Sequence, residues 1–223
     1  MNYYYLKYFV SSEKSNTQIS EISGDHNFND DSGIYAFAKI DFPNISEIKY
    51  LLLDKGAELA DIMNAVMLVP SGLLINEKVK EILSNFNLPN HKYYSALVKD
   101  FHGKVYPYNW LQTSKERDMR SYIDFKLSSF KIRKDMIGLI SESVQINSEE
   151  ELNKIQDNLE FGLAVNLSSL VFKKDFSRLN IDLFKVRRLG RDWIISERLK
   201  KSLEDAKVTG VRIEPAINIS VAD

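Results

Sequence analysis

Four stretches of the chain, Tyr3 to Val10, Ile34 to Ile40, Tyr93 to Lys99 and Val105 to Leu111, concentrate β-branched and aromatic residues between turn formers, and each predicts a strand. The last two flank Asp100-Phe101-His102-Gly103-Lys104, in which Gly103 can take the positive φ of a tight reversal, so the pair reads as a β-hairpin. Alternation along the second puts Tyr106, Tyr108 and Trp110 on one face, opposite Val105 and Leu111. Pro107 cannot donate to a ladder, which predicts an edge position or a bulge. Between Val10 and Gly33 the chain is polar, with Ser, Asn and Asp prominent, and reads as a long loop.

Helical spacing appears in three places. Asn76 precedes Val79, Ile82, Leu83 and Phe86, and Asn is a favoured N-cap because its side-chain oxygen accepts an otherwise unpaired backbone N–H. Ser148 and Glu151 form a Ser-x-x-Glu capping box ahead of Leu152, Ile155 and Leu159. Ser196 caps a helix carrying Leu199, Leu203 and Ala206 on one face, and Gly210 sits where the chain must turn out of it. Strands and helices mix without a βαβ rhythm. The expected fold class is therefore α+β, a mainly antiparallel sheet with a few packed helices. Only 5 Pro and 9 Gly are scattered through the chain and no linker composition interrupts it, which predicts a single domain over residues 1–223.

The helical segments contain an internal echo. Gly72-Leu-Leu-Ile-Asn-Glu-Lys-Val-Lys-Glu-Ile-Leu83 aligns without gaps on Asp192-Trp-Ile-Ile-Ser-Glu-Arg-Leu-Lys-Lys-Ser-Leu203. Each has a short apolar strand, a capping residue, Glu, a cation and an amphipathic helix. Asp61-Ile-Met precedes the first as Asp182-Leu-Phe precedes the second, and Leu88 to Tyr94 follows the first helix as Val208 to Glu214 follows the second. Two weakly similar strand-helix-strand units are expected, in halves near 50–112 and 170–223, each packing its helix on a sheet.

Composition narrows the function classes. Lys and Arg total 30 against 31 Asp and Glu, a net charge of −1, so nothing in the balance asks for nucleic acid or an acidic membrane. The absence of cysteine excludes disulfides, thiolate metal sites and cysteine nucleophiles, and permits a reducing cytoplasm, the expected compartment. The N-terminal apolar run is too short and too aromatic for a secretory signal. Tyr50 to Leu53 and Ile62 to Gly72, the longest apolar stretches elsewhere, fall short of the roughly 18 to 20 residues that span a bilayer, so no direct membrane association is expected.

Candidate chemistry is sparse. His26, His91 and His102 are the only imidazoles and form no zinc frame, so neither a metal nor a cofactor is expected. No phosphate-binding glycine loop or serine-hydrolase elbow is present. Ser196 and Glu197 open a helix after a strand, where an anion could bind, but capping accounts for the Ser, and the Glu would repel a phosphate. Asp61 and Asp182, placed equivalently before the echoed segments, are the acids with a positional argument for paired acid–base catalysis; turn or cap use is the other reading. Tyr106 to Trp110 could stack bases, yet Lys104 is the one cation beside it, and burial of alternate rings explains the run better.

Charge is uneven. From Glu142 to Glu160, six acids (Glu142, Glu149, Glu150, Glu151, Asp157 and Glu160) face Lys154 alone, a local net charge of −5. From Lys185 to Lys201, seven cations (Lys185, Arg187, Arg188, Arg191, Arg198, Lys200 and Lys201) face Asp192 and Glu197, a local net charge of +5. Segregation of this kind steers a charged partner or simply solvates a helix face.

Trp193-Ile-Ile-Ser-Glu-Arg-Leu-Lys-Lys-Ser-Leu203, followed by Val208-Thr-Gly-Val-Arg-Ile-Glu-Pro215, resembles the C-terminal signature of a family of bacterial immunity proteins from polymorphic toxin systems. Asp182-Leu-Phe184 is similar to the stretch that family places before its closing motif. Asp61 to Leu83, His91 to Tyr94 and Tyr106 to Gln112 resemble its earlier region. Asn76 stands where the second copy has Ser, and Lys78 where it has Arg; both changes preserve capping and charge. The resemblance implies binding rather than catalysis: a cytoplasmic protein, monomeric or weakly dimeric, that neutralises a cognate toxin and carries no catalytic residue or cofactor. If that toxin is basic, Glu149, Glu150 and Asp157 are the expected partner-binding residues. An enzyme using a carboxylate site remains the competing class.

Overall fold

The computed structural model describes residues 2–8, 19–22, 40–45, 47–65, 72–114, 119–134, 140–160, 163–186, 189–190 and 192–222. In chain order the strands are β1 (Tyr3–Tyr8), β2 (Ile19–Ile22), β3 (Glu47–Leu53), β4 (Ile62–Met63), β5 (Gly72–Ile75), β6 (His91–Lys99), β7 (Val105–Thr113), β8 (Ser129–Arg133), β9 (Ser141–Val144), β10 (Ala164–Phe172), β11 (Leu183–Phe184), β12 (Trp193–Ser196), β13 (Val211–Pro215) and β14 (Ile219–Val221). Among the described residues the α-helices are α1 (Glu77–Leu83), α2 (Glu149–Asp157) and α3 (Glu197–Asp205). Three sheets, ordered β2-β3-β6-β7-β5-β4, β11-β12-β1-β13 and β14-β10-β8-β9, give the α+β class. Pairing is mostly antiparallel, with β3–β6 and β10–β14 parallel.

The chain forms two compact units, neither built from one continuous stretch. One comprises Met1–Tyr5, Asp118–Glu197 and Glu214–Asp223; the other comprises Leu6–Arg117 and Arg198–Ile213. The first has an aromatic core. Phe172 stacks on Phe176 with ring centroids 3.9 Å apart, Phe184 meets both edge-on, and the Tyr3 ring closes on Phe184 at 5.8 Å. Such pairs contribute roughly 0.5–1.5 kcal/mol each beyond the area they bury.

The second unit buries residues on both faces of its six-stranded sheet. Met63, Leu74, Tyr94, Ala96, Val98, Tyr108 and Trp110 belong to one cluster, with Tyr106 packed against it, as alternation along β7 predicts. The two buried phenols keep partners: Tyr94 donates to the Pro43 carbonyl at 3.0 Å and Tyr108 to the Ala60 carbonyl at 2.7 Å. Residues of opposite parity, Leu73, Ile75 and Leu111, are also fully buried, and α1, which buries Val79 and Leu83, lies against β5 and β7. Gly72 has a steric reason. A Cβ there would run into the Trp110 indole, so only glycine lets that ring lie across β5.

The β6–β7 hairpin forms as expected, with Gly103 at φ 87°. Pro107 lies in a strand with neighbours on both sides, not at the sheet edge; but the last β5 partner on β7 is Asn109, so at Pro107 the ladder continues only toward β6. The expected loop over residues 10–33 is interrupted: Ile19–Ile22 forms β2 and pairs with β3, because Ile19 is fully buried opposite Leu53. The rest of that segment, and the expected strand at Ile34 to Ile40 apart from Ile40, lie outside the described residues. All three N-terminal helix boundaries stand where the capping residues predict, while Phe86, Leu159 and Ala206 fall just past the helix ends. At α3 the turn out of the helix is made by Lys207, not Gly210. Val208 N–H reaches the Leu203 carbonyl and Lys207 N–H the Glu204 carbonyl, a Schellman closure that puts Lys207 at φ 50°.

Candidate functional site

The two aspartates flagged by position do the same local job. In the first copy β4 and β5 pair antiparallel, Ile62 opposite Ile75 and Met63 opposite Leu74; in the second, β11 and β12 pair with Leu183 opposite Ile195 and Phe184 opposite Ile194. The capping residue then bonds its aspartate twice. Asn76 N–H donates to the Asp61 carbonyl at 2.9 Å and its side-chain amide to Asp61 Oδ1 at 2.7 Å. Ser196 N–H donates to the Asp182 carbonyl at 2.9 Å and its hydroxyl to Asp182 Oδ1 at 2.6 Å. Asn76 Oδ1 meanwhile accepts from Val79 N–H at 3.1 Å, the cap proper.

Asp61 carries more. Its Oδ2 accepts from Thr209 N–H at 2.8 Å, from the Thr209 hydroxyl at 3.1 Å and from the Lys78 ammonium at 3.1 Å. Burial disfavours the charge, but these donors and the Asn76 amide outweigh it and hold the carboxyl below its ordinary value. Ile62 N–H donates to the Thr209 carbonyl, and Gly210, at φ 87°, packs against the Ile62 carbonyl and Ala60 with no room for a Cβ. Asp182 and Ser196 are both buried. Burial, with the Asp182 charge adding to it, pushes the Tyr3 hydroxyl up to about 12. Both aspartates are thus engaged by their caps, the turn-or-cap use open in the sequence.

The acidic segment centres on α2. Ser148 Oγ accepts from Glu151 N–H at 3.2 Å, and Glu151 reaches back to Asn147 N–H at 2.8 Å, one residue before the cap. Glu149 pairs with Arg120 at 3.3 Å, and Arg120 is held in turn by Asn153 at 2.8 Å. Glu142 pairs with Lys134 at 2.9 Å. Glu150, Asp157 and Glu160 are exposed. Glu150 and Asp157 are seven residues apart, about 10 Å along the axis on nearly one face. Its own N–H and the Ser148 hydroxyl hold the Glu150 carboxyl below its ordinary value. Of the three expected partner-binding residues, Glu150 and Asp157 are exposed, while Glu149 is tied to Arg120.

The basic segment is less uniform than its count. Arg187, Arg188 and Arg191 lie outside the described residues. Lys185 sits 4.6 Å above the Trp193 ring, and burial lowers its amine to about 8 against the opposing pull of Asp192. Lys200 pairs with Glu204 at 3.1 Å, and Arg198 lies over the Phe86 ring. His91 Nδ1 donates to the Pro89 carbonyl at 2.9 Å and the ring packs edge-on against Tyr93, a structural setting; His26 lies outside the described residues. Among the described residues no group of acids and histidines is arranged to hold a metal ion, and no helix is long and apolar enough to cross a membrane. Sequence reasoning missed the Thr209 contribution, since a partner 148 residues away leaves no local signal. Compared with known proteins, the chain matches no family model and no curated protein.

Proposed function

We propose that this chain is an immunity-type protein that acts in the cytoplasm by binding a cognate bacterial toxin and neutralising it. The observation that carries the reading is the twice-used clamp of aspartate and capping residue: the residues shared with the immunity signature serve as scaffold in both copies. A scaffold of that kind leaves the work to an outer surface. The carboxylate-enzyme alternative gains nothing from Asp61 and Asp182, whose oxygens already take hydrogen bonds from caps and, at Asp61, from Lys78 and Thr209. For a basic toxin, the exposed Glu150 and Asp157 on α2 are the steering charges, and Glu149 acts through its pairing with Arg120 as part of the fold.

The test begins with the genes beside this one: a neighbour encoding a secreted toxin domain supplies the partner, and a metabolic operon in its place counts against the function. Co-expression of the intact chain should rescue a bacterial host from that domain, and failure of both rescue and binding dismisses the function. Within a working pair, E150K/D157K should slow association about tenfold at low salt and flatten its salt dependence. An unchanged association rate removes α2 from the interface.

A further inference from the structure

Among the described residues the three sheets end on β2, β4, β9, β11, β13 and β14. A sheet edge offers unmet backbone groups to other chains, and short strands, bulges and prolines blunt it. Five of these edges are blunted: β4 and β11 have two residues each and β14 has three, β13 ends on Pro215, and the β2 register shifts between Ile19 and Glu21. β9 is the exception, with four residues in unbroken register on β8, from Phe130 opposite Val144 to Arg133 opposite Ser141. Just beyond it, Lys134 N–H donates to the Ile140 carbonyl at 2.9 Å, which fixes the phase of the ladder. Antiparallel pairs alternate between hydrogen-bonded and non-hydrogen-bonded, so Glu142 and Val144 bond to β8, whereas the N–H and C=O groups of Ser141 and Ser143 point away from it. Among the described residues no hydrogen bond meets those four groups.

The side chains of β9 suit an incoming strand. Ser141 and Ser143 are small and exposed, so neither obstructs the approach. Glu142 projects from the opposite face, where it pairs with Lys134 on the β8 side and its side chain stays 68% exposed. Val144 shares the Glu142 face and packs against the aromatic core. An edge of this kind selects extended backbone. A second copy offers the same groups, but bonding Ser141 of each copy to Ser143 of the other sets the two Glu142 side chains directly opposite, where antiparallel neighbours stand closest and like charges repel. A cation at that place is attracted instead. We propose that β9 is a docking edge, on which an extended segment of a protein partner adds to the sheet with its backbone bonded to Ser141 and Ser143, a cation opposite Glu142 and an apolar residue opposite Val144. That the partner is the cognate toxin rests on the function proposed above.

The probe is the same toxin domain in catalytically silent form, added to the full-length chain, with amide hydrogen exchange read residue by residue. The Ser141 and Ser143 amides should exchange freely in the dilute free chain and slow about 100-fold in the complex, while those of Glu142 and Val144 are slow in both. S143P deletes an outward N–H and no bond to β8, so it should melt close to the wild type yet bind about 30-fold more weakly; S143A stays within about threefold and E142Q loses about fivefold. A complex in which the Ser141 and Ser143 amides stay fast overturns the docking edge and leaves the neutralising function standing, as does S143A losing as much as S143P. If the wild-type chain does not bind, both fall. Two further results overturn the edge: slow Ser141 and Ser143 amides in the dilute free chain mean that the chain itself covers it, and slowing that follows chain concentration without toxin assigns it to a second copy.

Discussion

Replacing Asp61 tests the clamp in the unit built from Leu6–Arg117 and Arg198–Ile213. D61A strands four donors at once: the Asn76 side-chain amide, the Thr209 N–H, the Thr209 hydroxyl and the Lys78 ammonium. The Asn76 amide is partly shielded and costs about 1–1.5 kcal/mol when unmet; the two Thr209 donors and Lys78 are solvent-facing and add about 0.5 kcal/mol each. The expected loss is about 3 kcal/mol. D61N keeps one acceptor and should lose roughly half as much. Each unit holds one of the two tryptophans, Trp110 in this one and Trp193 in the other, so a W193F background makes fluorescence in a urea titration report the relevant unit. The acidity of Asp61 supplies a second reading. Its carboxyl is held below the ordinary value in the folded state, so its stabilisation is complete above the unfolded value near ~4 and disappears as pH falls through the lower folded value. The gap between wild type and D61N should therefore be constant from neutral pH to about 5 and close below about 4. A double-mutant cycle with T209V should show coupling of about 1 kcal/mol. A D61A loss under about 0.5 kcal/mol, or strict additivity with T209V, would refute the clamp.

Lys207 and Gly72 give opposite expectations at two backbone positions. K207G removes the strain of a side chain at φ 50° while keeping the Schellman bonds, and should raise stability by about 1 kcal/mol in the same urea assay; a loss of stability would mean that the Lys207 side chain outweighs its backbone. G72A pushes a methyl into the Trp110 indole and should cost about 2–3 kcal/mol with a change in Trp110 emission; a neutral result would show that the ring moves aside freely.

Local chemistry was the legible part of the sequence. Asn76, Ser148 and Ser196 announce helix starts because a cap acts within three residues of itself, and Gly103 announces the hairpin because the turn is five residues long. The fold class followed from the mixture of such signals. What escaped was set at long range. β2 hides in a polar segment because four residues suffice once Ile19 finds Leu53, and the side-by-side order of β5, β7 and β6 depends on pairing that no window of the chain contains. The charge count at Glu142 to Glu160 overstated the uncompensated charge for the same reason: Arg120 and Lys134, both outside the counted segment, pair with Glu149 and Glu142.

The recurrence of aspartate in both copies has a physical cause in the caps themselves. A capping residue satisfies one helix N–H with its oxygen, but Asn76 and Ser196 each retain a side-chain donor, and at the end of a buried strand no water is assured to receive it. An aspartate on the adjoining strand accepts that donor, and its own carbonyl accepts the cap's backbone N–H, so one residue settles two requirements through a pair of bonds. The strand orders β4-β5-β7-β6 and β11-β12-β1-β13 then match around it, each with one strand inserted between the strand before the helix and the strand after it. The inserted strand differs in origin: β7 follows β6 through a five-residue turn, whereas β1 comes from the start of the chain. The aspartate, short strand, cap and helix are thus common to both copies, whichever route supplies the inserted strand. N76A should therefore disturb the β4–β5 pairing through Asp61, while N76S, which restores the Ser of the second copy, should preserve it.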